Sequence, residues 1–77
     1  MIANEKIAKE ISELMLDYGA RLNASTALVR DNCATEEVHV YRKAVGKVMG
    51  EMLLAIMNPL YERHPNLVPP ELRRGHE

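Results

Sequence analysis

The chain has 77 residues, enough for a single domain, and a domain this small buries only about 60% of its unfolded-chain surface. Its one cysteine, Cys33, excludes an internal disulfide and fits a reducing compartment. The net charge of −1 excludes a global field that would draw the chain to nucleic acid or to an anionic membrane.

The sequence contains no recognisable targeting segment or membrane span. Residues 1–5 resemble neither a signal peptide nor a transit peptide, and no apolar run reaches the ~20 residues of a membrane span. We therefore expect a complete, small cytoplasmic protein with no membrane partner. Because neither a disulfide nor a Cys/His metal cluster is present to stabilise it, a second copy is the expected partner, most simply in a two-fold dimer.

Helix 1 is predicted over about residues 4–31. Asn4 is suited to the N-cap, and Glu5 lies in the first turn, where the helix dipole favours an acid. The apolar residues recur at spacings of three, four or seven, which is typical of an amphipathic helix: Ile7, Ile11, Leu14, Tyr18, Leu22 and Val29. Oppositely charged residues four apart follow the other side and indicate a solvated face.

A short turn joins helix 1 to a second helix. Asn32 is expected to take the left-handed conformation that ends helix 1, and Thr35 to cap helix 2. A connection of about four residues makes two long helices antiparallel, so residues 1–64 are predicted to form a helical hairpin. Helix 2 is predicted over about residues 36–58, and Pro59 should kink it or end it.

The remaining residues, 65–77, form a proline-rich C-terminal tail. Leu67 and Val68 are predicted to fold back on the helices as an apolar clip, and residues 70–74 could form a final helical turn. His64 and His76 have no partner at a fixed spacing, and both are expected to be exposed.

Two glycines, Gly46 and Gly50, stand one turn apart inside the most apolar part of helix 2. Glycine in a helix costs about 0.5–1 kcal/mol relative to alanine, so the pair requires a reason. We interpret it as a close helix crossing, either with helix 1 near Gly19 and Ala20 or, by slight preference, with helix 2 of a second chain. The predicted dimer contact consists of Gly46, Gly50, Leu53, Leu54 and Met57.

The predicted fold class is all-α, an antiparallel helical hairpin that associates as a dimeric four-helix bundle. The expected bundle core is apolar throughout: Ile7, Ile11, Leu14, Tyr18, Leu22, Val45, Val48, Met49, Met52, Leu53 and Ile56. The methionines of helix 2 could also mark an adaptable groove for peptides, but we interpret them as core.

Few residues suggest chemistry. Glu36 and His39 are three apart, the spacing that di-iron bundles use twice, but here it occurs once. Glu36 and Glu37 are better explained as acids that complement the helix dipole. Cys33 stands among acidic residues and is not expected to act as a nucleophile. No catalytic residue, metal site or cofactor is predicted.

The sequence favours a small non-enzymatic homodimer that presents a helical surface or its tail to another protein, as an interaction or adaptor protein. A nucleic-acid-binding regulator is the alternative, because Arg42, Lys43 and Lys47 form a basic strip on helix 2 that could contact phosphates. The simpler interpretation of that strip is a solvated helix face.

Overall fold

The structure, a computed structural model, describes residues 1–69, so His76 and the predicted turn at 70–74 lie outside the described residues. The described chain is helical without strands and forms the predicted hairpin. Helix α1 is Glu5–Asn32 and helix α2 is Thr35–Glu51; a π-helical segment, Met52–Met57, leads into helix α3, Asn58–Arg63, and a 3₁₀ turn, Pro65–Leu67, follows. None of the helices described is long and apolar enough to cross a membrane.

The caps of the two long helices follow the sequence only in part. Asn4 caps α1 as predicted, because its side chain accepts a hydrogen bond from the Ile7 N–H at 3.2 Å. Asn32 is not left-handed: it stays in the helix and donates its amide to the Leu28 carbonyl at 2.8 Å. The N-cap of α2 is Ala34, not Thr35, and the Ala34 N–H donates to the Glu37 carboxylate at 3.1 Å. The extended backbone of the cap residues therefore makes the turn.

Helix 2 does not end at Pro59 but continues without a break to residue 63. The π-helical segment explains this continuation. Its wider turn pairs the Asn58 N–H with the Leu53 carbonyl five residues earlier, just before the position where Pro59 offers no N–H. The wider turn thus accommodates a residue that has no N–H to donate, and the helix continues to Arg63. The predicted end of helix 2 at about residue 58 is therefore wrong by about one turn.

The two arms of the hairpin meet along small residues of α1. Ala8 and Ser12 are buried, and a Cβ added at Gly19 would lie 3.8 Å from the Met49 Cε, an ordinary contact distance. These positions, four and seven residues apart, lie beside the predicted apolar stripe rather than on it. Val38 and Val45 are the buried apolar residues of α2. Only Val45 of the expected bundle core is buried within the single chain.

The best-buried cluster lies at the end of the hairpin away from the turn. Ala8, Met57, Leu60 and Tyr61 form it, and the partly buried residues packed against it are Ile2, Ile11, Met15, Leu67 and Val68. The apolar clip that the sequence predicts is thus confirmed. Inside the cluster the Ser12 and Tyr61 hydroxyls are hydrogen-bonded at 2.6 Å, so neither polar group is buried without a partner.

His64 is buried rather than exposed as expected. Its Nε2 lies 2.7 Å from the Ile2 carbonyl oxygen, to which it donates. Asn66 makes a parallel link, donating its amide to the Glu5 carboxylate at 2.9 Å. The sequence could not reveal this because the residues in each pair are about 60 positions apart. The two links join the start of α1 to the end of the helical chain.

The molecule is a single layer of helices. It measures 44 × 27 × 16 Å, and its radius of gyration of 14.8 Å exceeds the ~11.5 Å of a compact domain of this length. Stable domains usually pack two or more layers around a core. The hairpin therefore has two broad sides against which no layer of residues 1–69 packs.

Replacing Tyr61 with Phe should lower the free energy of unfolding by about 0.5–1.5 kcal/mol, since it leaves the buried Ser12 hydroxyl without its partner. Urea unfolding followed by circular dichroism measures this. The double change Ser12→Ala with Tyr61→Phe is the matched control, because removing both hydroxyls leaves no buried polar group unpaired, and it should cost no more than Tyr61→Phe alone. A double change that costs the sum of the two single changes would contradict the buried hydrogen bond.

Candidate functional site

One broad side of the hairpin is marked by a second pair of hydroxyls, those of Ser25 and Tyr41, which lie 2.6 Å apart. In an antiparallel pair, moving seven residues back from Ser25 and seven forward from Tyr41 reaches Tyr18 and Val48, two turns along the same side. Ile7 and Leu14 continue this side of α1, eleven and four residues before Tyr18. We call Ile7, Leu14, Tyr18 and Val48 the tyrosine face; each is 41–49% exposed.

The polar groups beside the tyrosine face satisfy one another. The Ser25 hydroxyl donates to the Leu22 carbonyl at 2.6 Å, so the Tyr41 hydroxyl is the donor in the bond between the two side chains. Both hydroxyl protons thus have acceptors inside the chain. This side of the hairpin could be covered by apolar groups without leaving either proton unpaired, which would otherwise cost about 1–3 kcal/mol.

The opposite side carries a groove of about 520 Å³ between the two arms. We call it the methionine groove. Its lining residues come from both arms: Met15, Leu16, Gly19, Ala20 and Asn23 from α1, and Met49, Gly50, Met52, Leu53 and Met57 from the second helical stretch. The sequence suggests Gly19 and Ala20 as a crossing point for helix 2, but Leu16 lies on the side of α1 that was interpreted as solvated, so its place in the groove was missed.

Four of the five methionines in the chain line this groove. The interpretation of the methionines as plain core is therefore incomplete: Met57 is buried, but Met15, Met49 and Met52 are only partly covered. Asn23 is the one polar side chain among the lining residues. The groove is thus flexible and apolar, with small residues Gly19, Ala20 and Gly50 between the methionines.

The two glycines of helix 2 do not pack against helix 1. A Cβ added at Gly46 or Gly50 would meet no atom within 4 Å. The close intrachain crossing that the sequence allowed is therefore wrong, because Met49 rather than a glycine approaches Gly19 of helix 1. A crossing with a second chain stays a prediction.

The residues predicted for dimer contact fall on the groove side. Gly50, Leu53 and Met57 line the methionine groove, Leu54 is 65% exposed, and Gly46 lies one turn before Gly50. Met57 is already buried within its own chain, so little of its side chain remains exposed for contact with a second chain. The tyrosine face holds Ile7, Leu14, Tyr18 and Val48 from the expected bundle core, whereas Met49, Met52 and Leu53 of the same predicted core line the groove. The predicted core is thus divided between the two sides of the hairpin.

The basic residues Arg42, Lys43 and Lys47 are exposed, and none forms an ion pair with a residue in the described range. Lys43 and Lys47 are one turn apart on α2 and Arg42 adjoins Lys43, so the basic strip stays a prediction. Arg42 and Lys43 stand seven residues before Met49 and Gly50, and so extend the groove side toward the turn, while Lys47 also borders Val48. A groove with two cations at one end results.

The residues weighed for chemistry are all exposed near the turn. Cys33 and Glu36 line one open cleft together with Glu37, and His39 lies outside it. Among residues 1–69 no group of three or more His, Cys, Asp or Glu side chains is placed to hold a metal ion. The two extended surfaces to which both arms contribute, the tyrosine face and the methionine groove, are instead apolar.

Gly46→Ala and Gly50→Ala should each raise the free energy of unfolding by about 0.5–1 kcal/mol in the purified protein, because alanine favours the helix and nothing stands near the added methyl group. Urea unfolding at several protein concentrations measures this. Gly19→Ala is the control, since its methyl group meets Met49 at ordinary contact distance. A loss of stability at Gly46 and Gly50 alone would show that another backbone crosses there.

Comparison with protein-family models, with curated proteins and with solved structures finds no match to this chain. The functional interpretation therefore depends on its own geometry, namely two apolar sides of one helical layer and the charges beside them.

Proposed function

We propose that this chain is a non-enzymatic interaction protein that works as a homodimer, in which two hairpins pack their tyrosine faces together as a four-helix bundle. The observation that supports this most directly is the single helical layer, 16 Å thick, with large apolar side chains exposed on both sides. A second hairpin would supply the layer that the fold lacks.

The size of the buried core supports a permanent partner. In the described part of the chain the buried apolar residues are Ala8, Val38, Val45, Met57, Leu60 and Tyr61, and among their large side chains only that of Leu60 is fully buried. Chains this short are usually stabilised by a disulfide, a metal or another chain. Cys33 has no second cysteine to pair with, and a second copy is the commonest partner chain.

The tyrosine face suits a two-fold contact better than the predicted dimer contact around Gly46 and Gly50 does. It spans both arms, so each hairpin would contribute two helices to a bundle core. Its three members on α1, Ile7, Leu14 and Tyr18, are four, seven or eleven residues apart, a spacing typical of helices that cross at a shallow angle. The Ser25 and Tyr41 protons beside it already have acceptors, so covering these two hydroxyls leaves neither proton unpaired.

Leu14 and Leu16 provide a matched test, because they are 41% and 42% exposed on opposite sides of α1. Leu14→Glu should raise the dimer dissociation constant at least ~10-fold, since a carboxylate would be buried in the bundle core, while Leu16→Glu should leave it unchanged. Analytical ultracentrifugation over a concentration series measures both, and circular dichroism checks that each variant stays helical.

The opposite result, dissociation by Leu16→Glu and not by Leu14→Glu, would move the dimer contact to Gly50, Leu53 and Leu54. A wild-type chain that sediments as a monomer at every concentration would reject the homodimer.

Nucleic-acid binding is the rival function, and the exposure of Arg42, Lys43 and Lys47 favours it. It predicts filter retention of RNA or DNA at low salt, a steep loss with added salt, and loss on changing all three residues to glutamine. Retention with those properties would replace the proposal.

A further inference from the structure

We infer that the methionine groove is a docking site for one amphipathic helix of a partner protein, with acidic residues at the end of that helix that lies nearest Arg42 and Lys43. This rests on the proposed function, in which the tyrosine face is occupied by the second copy and the opposite side stays free. The dimer would then present two such grooves.

The lining of the groove suits a helix. Methionine side chains are unbranched and polarisable, so a surface rich in them adapts to different apolar residues. Met15 and Met49 stand on opposite arms, and the small residues Gly19 and Gly50 beside them let another backbone come close. A helix placed along the groove would insert residues spaced i, i+3, i+4 and i+7 between the two arms.

The same lining is unsuited to a small polar ligand. Sites for small molecules combine apolar walls with several convergent polar groups that fix orientation. Here Asn23 is the one polar side chain among the lining residues. The groove can therefore bind apolar side chains and a backbone whose hydrogen bonds are already made, which is what a helix provides.

Charge sets the polarity of the partner. Arg42 and Lys43 are exposed at the turn end, and no described residue forms an ion pair with them. At the other end Glu13 stands seven residues before Ala20 on the α1 rim. A partner helix with acids near Arg42 and Lys43 would pair with both cations, whereas basic residues there would be repelled.

A second copy is a poorer occupant of this groove. If both sides of a single-layer hairpin bound copies of the same chain, each added hairpin would expose a further free side, and the assembly would grow as an open-ended stack. A partner helix of different chemistry closes the groove without such growth.

The experiment is a selection from a display library of helical peptides about four turns (~15 residues) long, with the full-length wild-type protein as bait. Enriched peptides should carry large apolar residues at helical spacing and Asp or Glu toward one end. Selected peptides are then synthesised and their dissociation constants measured by fluorescence anisotropy.

Leu16→Glu should weaken peptide binding at least ~10-fold, while Leu28→Glu, at an exposed leucine of α1 that belongs neither to the groove lining nor to the tyrosine face, should leave it within ~2-fold. Arg42→Glu with Lys43→Glu should weaken acidic peptides at least ~10-fold and tolerate peptides whose acids are changed to lysine. Fluorescence anisotropy measures peptide binding to the groove, and analytical ultracentrifugation measures the mass of the dimer. The docking site and the homodimer are therefore tested independently, and either can fail without the other.

Three outcomes would overturn the inference: no enrichment over an uncoated bait, selected peptides that bind Leu16→Glu as well as wild type, or selected peptides that are basic. Dissociation of the wild-type dimer by Leu16→Glu would also overturn it, because the groove would then hold the second copy.

Discussion

The narrow contact between the two arms is the constraint on which the rest of this structure depends. Helix α1 turns Ala8 and Ser12 toward the cluster that contains Tyr61, and Gly19 toward Met49 of α2, so small residues of α1 line the contact between the arms. The larger apolar side chains of α1 are then directed to the two broad sides. The two arms are therefore in contact, but few large side chains are buried between them. The large apolar side chains that remain make both broad sides of the hairpin apolar.

The ends of the chain hold this thin arrangement together. The π-helical segment carries the second helix past Pro59, which brings Leu60 and Tyr61 to the start of α1. The Ser12–Tyr61 and His64–Ile2 hydrogen bonds then lock that end, while a short turn closes the other. A helix that ended at Pro59 would have left Ala8 without the residues that bury it.

The two broad sides have different physical character, and this supports different occupants. The tyrosine face carries larger, stiffer residues such as Ile7, Tyr18 and Val48, which suit one fixed geometry. The methionine groove carries flexible side chains and glycines, with Arg42 and Lys43 at one end, which suits an adaptable but oriented contact. A dimer seam and a docking groove on one small hairpin are therefore compatible.

The sequence by itself determined the all-α class, the hairpin, the Asn4 cap and the folded-back Leu67 and Val68, because periodicity, capping and short-loop geometry are local properties. It also indicated more apolar surface than one chain can bury. Only the tertiary structure decided which side of α1 faces the second arm. A small rotation of α1 about its axis would turn either its row of large apolar residues or the neighbouring row of small residues toward that arm, and both arrangements bury apolar surface. In the structure the row of small residues, Ala8, Ser12 and Gly19, faces the second arm. The burial of His64, the passage through Pro59 and the methionine groove likewise join residues far apart in the chain, where no local pattern could reveal them.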